Sequence, residues 1–190
     1  MLMATNTMFG TPVRAVYDGS GNVVGLSAGG IALGVPIMMY QNSTDITSVA
    51  NTAEQLLDQY LIPAGTLQLG DILRVKLRIS KSSTVDSCTA RLRLGLAGTV
   101  ADTVVSTVAQ PATTSRIFFN YREFIPVTST SLRRIFPEQA IPFGTSAADV
   151  ADVMISDILN PLYLSVTSQM TTGAETITLK YLSVELIRGA

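Results

Sequence analysis

Hydrophobic positions recur with period 2 along most of this chain. The clearest run is Asp71–Ser80, where Leu73, Val75, Leu77 and Ile79 alternate with Arg74, Lys76 and Arg78. Successive side chains of a strand point to opposite faces, so the run predicts a strand with one apolar and one cationic face. After a loop of Lys81–Asp86 the pattern returns: Cys88, Ala90, Leu92, Leu94 and Leu96 alternate with Thr89, Arg91, Arg93 and Gly95. A helix would scatter these positions around its circumference. Further strands are predicted at Gln55–Ile62, Thr103–Val108, Arg116–Ile125, Leu132–Phe136, Leu162–Ser168 and Thr176–Ile187. Within the last, Ile177, Leu179 and Tyr181 give way to Leu182, Val184 and Leu186. That change of parity predicts a bulge near Tyr181 or burial on both faces.

One segment reads as helical. Ser146-Ala-Ala-Asp149 has capping-box spacing, Val150, Val153, Met154 and Ile158 follow at helical intervals, and Asn160-Pro161 ends the run. Turn residues between the strands predict an all-β fold, an antiparallel β-sandwich over residues 51–190 with one short helix; the jelly-roll-like form of that sandwich is what the resemblance given below implies. Residues 1–50 differ, being broken by Gly and Pro and carrying only Arg14, Asp18 and Asp45 as charges. Val13–Tyr17 and Val23–Leu26 flank Asp18-Gly-Ser-Gly-Asn22, which predicts a small hairpin because Gly and Asn tolerate the positive φ of tight turns. Ile31–Tyr40 is apolar but interrupted by Gly34 and Pro36. It suits an extended N-terminal arm lying on another surface, with Pro12, Val13, Val16, Tyr17, Val23, Leu26, Ile31 and Leu33 as its attachment residues. It equally suits an edge that completes the domain's own sheet.

Composition adds a scarcity of charge. Only 14% of the 190 residues are charged, against about 25% in an ordinary soluble domain, while the mean hydropathy is +0.36. The covering is made instead by 22 Thr and 17 Ser. Few charges then hold copies apart, which points to surface buried against partners. A net charge of −1 lacks the basic balance of a nucleic-acid-binding domain, so no nucleic acid is expected. The absence of His removes Ser-His-Asp and Cys-His nucleophilic sites, zincins and His-ligated metals. Cys88 alternates with aliphatic neighbours and reads as a small buried hydrophobe. Met1–Asn6 shows no basic region leading into an apolar stretch, so no secretory leader is expected. The charge-free run Gly19–Thr44 holds six glycines and Pro36, and no membrane span is expected there.

Individual motifs dissolve on inspection. Asp18–Asn22 places oxygen ligands like a calcium loop, but Val23 and Gly29 stand where that loop needs Gly and Glu. Gly19, Gly21 and Gly25 miss the dinucleotide fingerprint, since Val24 occupies the place of the third Gly. Asp149, Asp152 and Asp157 share one short segment, whereas glycosidic catalysis needs two carboxylates across a cleft. Asn42-Ser-Thr44 fits a glycosylation acceptor, but no secretory context accompanies it. The residues thus predict no catalytic, metal or cofactor-binding site and no enzyme.

Charge distribution says more. Between Arg74 and Arg134 ten bases face three acids, a surplus of +7, while the remainder holds three bases and eleven acids, −8. If the two clearest strands pair as sequence neighbours, Arg74, Lys76, Arg78, Arg91 and Arg93 share one sheet face. Five cations on one face repel unless something acidic covers them. They form a candidate interaction face for an acidic partner, such as another copy's acidic segment; alternatively they line a wet face and find partners within the chain.

Leu61-Ile-Pro-Ala-Gly-Thr-Leu67 followed by Gly70-Asp-Ile-Leu-Arg-Val75 resembles the opening of jelly-roll domains in structural proteins of tailed bacteriophages. Leu162–Ser168 and Ala174–Leu186 resemble the final two strands of those domains, and Pro12–Leu26 resembles lead-in segments of phage virion proteins. The resemblance covers about half the chain and leaves Val100–Leu159 unplaced. It implies a homotrimer of sandwiches anchored by the N-terminal arm, and it carries over no catalytic residues. The function expected is therefore that of a capsid decoration or cement protein, made in the host cytoplasm. It would sit on the outer surface of the phage head rather than the tail and stabilise contacts of the major capsid protein. The alternative is a tail or head fibre knob that binds a host receptor or glycan, with Phe118–Arg122 as its aromatic and amide cluster.

Overall fold

The structure, a computed structural model, describes residues 6–8, 11–17, 23–28, 31–33, 36–82, 86–110, 112, 117–134 and 152–189, with the backbone alone described for 6–33 and 117–120. Among the described residues, fifteen strands form three antiparallel sheets. The first sheet is built from β1 (Asn6–Met8), β2 (Thr11–Tyr17), β3 (Val23–Ala28) and β4 (Ile31–Leu33), joined in chain order. The expected hairpin is its β2–β3 pair, with Tyr17 opposite Val23; its turn lies outside the described residues.

The other two sheets pack as a jelly-roll-like sandwich, the class expected. One runs β10 (Thr103–Gln110), β9 (Cys88–Gly95), β14 (Leu162–Met170), β7 (Gln55–Ile62). The other runs β13 (Val153–Met154), β12 (Ser131–Arg134), β11 (Ile117–Thr128), β8 (Ile72–Lys81), β15 (Ile177–Ile187), β5 (Ile37–Asn42), with β6 (Ile46–Thr47) also on β15. Leu73, Val75, Leu77 and Ile79 of β8 share a buried core with Ala90, Leu92 and Leu94 of β9 and Leu162, Leu164 and Val166 of β14. The alternation seen in the sequence is therefore the in–out alternation of a half-buried sheet. The parity change in β15 is a bulge: Leu179 pairs with Ile79, Tyr181 with Arg78, and Lys180 is the extra residue.

Two expectations are corrected. Residues 146–151 of the predicted helix lie outside the described residues, but Val153–Met154 is a strand paired with Ser131 and Leu132. The Ile155 and Ile158 N–H groups donate to the carbonyls of Thr130 and Ser129, each at 2.8 Å. The β11–β12 turn thus takes hydrogen bonds a helix would have used; Ile155 and Ile158 are pinned into the core, whereas Met154 is exposed. Second, the boundary at residue 50 moves toward the N-terminus, because the edge-strand alternative for Ile31–Tyr40 holds from Ile37 on: β5 pairs along β15, Tyr40 opposite Val184, and β6 continues the pairing at Thr178 and Leu179. Residues 37–47 complete the sandwich's own sheet. The Tyr40 and Tyr60 rings stack 5.1 Å apart, and Asp58 accepts from the Tyr40 hydroxyl at 3.0 Å and the Asn42 amide at 2.8 Å. This clasp ties β5 to β7 across the sandwich edge, and an inward carboxylate on an edge strand discourages stray pairing.

Candidate interaction surface

Strand β8 pairs with β11 and β15, and β9 pairs with β10 and β14. The five basic residues therefore do not share a face: Arg74, Lys76 and Arg78 lie on one sheet, Arg91 and Arg93 on the other. The chain crosses between sheets after β8, as sandwich connections do, so strands adjacent in sequence are not neighbours.

Four of the five also meet acids of their own chain. In the β11–β8–β15 sheet, register sets Glu123 and Glu185 on either side of Arg74. Arg74 Nε donates to Glu123 Oε1 at 2.8 Å and its Nη1 reaches Glu185 Oε2 at 3.4 Å, while Lys76 Nζ meets Glu185 Oε1 at 2.6 Å. Tyr121 donates its hydroxyl to Glu123, and the Arg74 guanidinium lies 5.5 Å from the Tyr121 ring centroid. Burial raises the Tyr121 phenol above its ordinary value, and the hydrogen bond to Glu123 adds to the rise. On the opposite sheet, Glu54 holds both cations, with Arg93 in a fork and Arg91 Nη1 at 3.2 Å, and also accepts from Thr167. Arg93 Nη1 reaches the Asp102 carbonyl at 2.5 Å. Compensation runs out along β8: Arg74 meets two carboxylates and Lys76 one, whereas exposed Arg78 lies opposite Phe119 and Tyr181 with no ion pair among the described residues.

The attachment residues fall into register. Val13 pairs with Ala28, which pairs with Ile31; Ala15 pairs with Leu26, which pairs with Leu33. Val13, Ala15, Leu26, Ala28, Ile31 and Leu33 thus occupy one face of the first sheet. Pro12 and Val16 fall on the other, and Tyr17 pairs with Val23 beyond a register shift. Of the proposed glycan cluster, Tyr121 stands on the outer face, while Arg122 is buried between the sheets and donates to Ser106 Oγ at 2.9 Å.

The sequence reading missed a further feature. Leu69, Leu96, Val100, Met154 and Leu159 are exposed, and all lie at one end of the sandwich, around loops 63–71, 96–102 and 155–161. Pairing defines that end: Ile62 meets Leu162, Gly95 meets Tyr163, Ile72 meets Ile187 and Ile37 meets Leu186. The only sequence signal was a Leu or Val in each Gly- or Asn-containing loop. The loops themselves are firmly set. Asp102 accepts from the N–H groups of Ala97, Gly98 and Thr99, and Asp71 accepts from Gln68 N, Gly189 N and the Arg188 guanidinium. At the opposite end, burial opposes the Asp86 charge, but hydrogen bonds from the Thr172 hydroxyl and N–H, and from the Gly173 and Ser87 N–H groups, outweigh it and hold this carboxyl below its usual value. No group of residues that could hold a metal ion is found among the described residues, and no helix among them is long and apolar enough to cross a membrane.

No protein-family model and no curated protein sequence matches the chain. Among solved structures it is similar to the CBM2 module of the evolved Dit of Lactobacillus casei BL23 phage J-1, with a TM-score of 0.37 and 10% identity over 70% of this chain and 69% of that one. It is also similar to the structure of infectious bursal disease virus Gx strain, with a TM-score of 0.31 and 12% identity over 97% of this chain and 48% of that one. Both likenesses are too loose to carry function across.

Proposed function

We propose that this protein is a non-enzymatic structural component of a phage virion, a decoration protein of the head that assembles as a trimer. The observation that carries the reading is the division of labour in the chain. A closed sandwich neutralises most of its basic residues internally, while a separate sheet of residues 6–33 gathers six apolar positions on one face by register. A sheet of four short strands needs a surface to cover such a face, and the major capsid protein is the surface assigned here. The phage jelly-roll resemblance of the sandwich strands supports the same reading. Arg78 is the position on the basic face left to meet an acidic group of a partner. Each contact is weak, and many copies on one shell add up to firm binding. Deleting residues 1–33 leaves every sandwich strand in place, so the truncated protein should melt as the full chain does yet fail to coat particles. Normal coating by that truncation would sink the attachment role. The alternative, a receptor-binding fibre knob, places the protein at the tail or at a few sites on the head.

A further inference from the structure

Almost every charge among the described residues is answered within the chain, and two exceptions carry opposite signs. Arg78 is exposed, and no ion pair or hydrogen bond reaches its guanidinium among the described residues. Asp157 is half-buried and meets no cation among them; its Oδ1 takes the Leu159 N–H at 3.0 Å and its Oδ2 takes no donor. Every other described acid meets a cation, is buried, or, for Asp58, is filled by Tyr40, Asn42 and Gln59. Each of the two also has an apolar companion. Tyr181 lies beside Arg78 by register on the outer face, and Leu159, two residues after Asp157, is 67% exposed. The loop that carries Asp157 and Leu159 is already fixed: the Ile158 N–H donates to the Ser129 carbonyl at 2.8 Å, and the Asn160 N–H to the Asp157 carbonyl at 3.0 Å.

We infer that loop 156–160 of one copy docks on the outer face of β8 and β15 of the next, with Asp157 against Arg78 and Leu159 against Tyr181. The pair cannot close within one chain. Arg78 lies opposite Phe119, and the nine residues from there to Thr128 carry β11 about 30 Å toward the loop. A cation left over on one surface and an acid left over on another, far apart on one subunit, describe a head-to-tail contact. Such a contact closes into a ring when its rotation allows. Charge selects a second copy as the occupant: the chain holds 13 bases and 14 acids, and the two left unanswered among the described residues are one of each sign. A loop already fixed gives up little freedom on docking. An exposed ion pair alone contributes little, so its part is to set the register of the contact, while Leu159 and Tyr181 supply apolar area. The inference rests on the trimer proposed above and names its contact. The mass of the wild type tests the trimer and a charge exchange tests the contact, so the two failures are distinguishable.

The test is sedimentation equilibrium of the full-length protein across a concentration series, with melting curves as the folding control. Wild type should form trimers, and added salt should weaken them. Arg78→Asp and Asp157→Arg should each weaken association at least about tenfold, because like charges then face each other. The two combined restore opposite charges and should recover most of the loss. Asp157→Asn keeps an acceptor for the Leu159 N–H, and should weaken association severalfold without changing the melt. Single variants that associate as wild type does, or a combined variant no better than either single one, would overturn the contact. A wild type that forms dimers would overturn the trimer and leave the charge exchange to decide the contact. One that stays monomeric at about 100 µM would overturn both.

Discussion

Glu54 and Arg93 meet in a two-point fork, Nε to Oε1 at 2.9 Å and Nη2 to Oε2 at 2.8 Å, although Glu54 leads into β7 and β14 lies between β7 and the strand of Arg93. The Arg93 side chain is only 10% exposed. Removing the acid strands a largely desolvated guanidinium, a loss that generally exceeds that of an exposed pair. Glu54→Gln should therefore destabilise the sandwich by about 1–2 kcal/mol, a fall of about 2–8 °C in Tm for a chain of this size. Thermal unfolding checks it, and an unchanged Tm would show the fork to be decorative.

The equivalent acid on the other sheet is Glu185, which serves Arg74 and Lys76. Glu185→Gln should cost a similar amount, and the double variant with Glu54→Gln should be additive within about 0.5 kcal/mol, because the two clusters lie on opposite outer faces. Strong coupling in a double-mutant cycle would contradict that separation.

Much of this architecture was legible in the sequence. Leu73 to Ile79 and Cys88 to Leu94 announced half-buried strands, and the parity change near Tyr181 allowed a bulge or burial on both faces, of which the pairing shows the bulge, at Lys180. What stayed hidden depends on partners distant in sequence. Nothing local to Arg74 and Arg91 says that β8 and β9 belong to different sheets, and nothing near Arg93 points to Glu54. Val153 and Ile158 carried helical spacing because Ser129 and Thr130, not a helix, capture the backbone of that segment. The exposed end was missed for the same reason: the loops of Leu69, Val100 and Leu159 come to one end of the sandwich only once the strands are paired.

Cys88 is buried among Ala90, Leu92 and Met170, and burial pushes its thiol up to about 11, with Lys81 pulling the other way. Only the thiolate reacts, and it is scarce here. Native protein at about pH 8 should resist a thiol reagent and label fully once unfolded. Rapid labelling of the native chain would mean that the core opens around β9.

Asp86 links the β8–β9 loop to the β14–β15 loop through Thr172 and Gly173. Its carboxyl is held below the ordinary 3.8, so the folded state binds its proton less readily than the unfolded chain does. The stability it contributes is complete above that ordinary value and is lost as pH falls through the lower folded value. Denaturation curves taken from about pH 5 downward should show a shallower loss for Asp86→Asn than for wild type. Parallel curves would remove Asp86 from the acid response.

The central claim is that this chain coats a phage head. Labelling the protein on intact particles and imaging them by electron microscopy tests it most directly. Label spread evenly over the head is the predicted result; label confined to the tail or to a single vertex, or no label on particles at all, would contradict it.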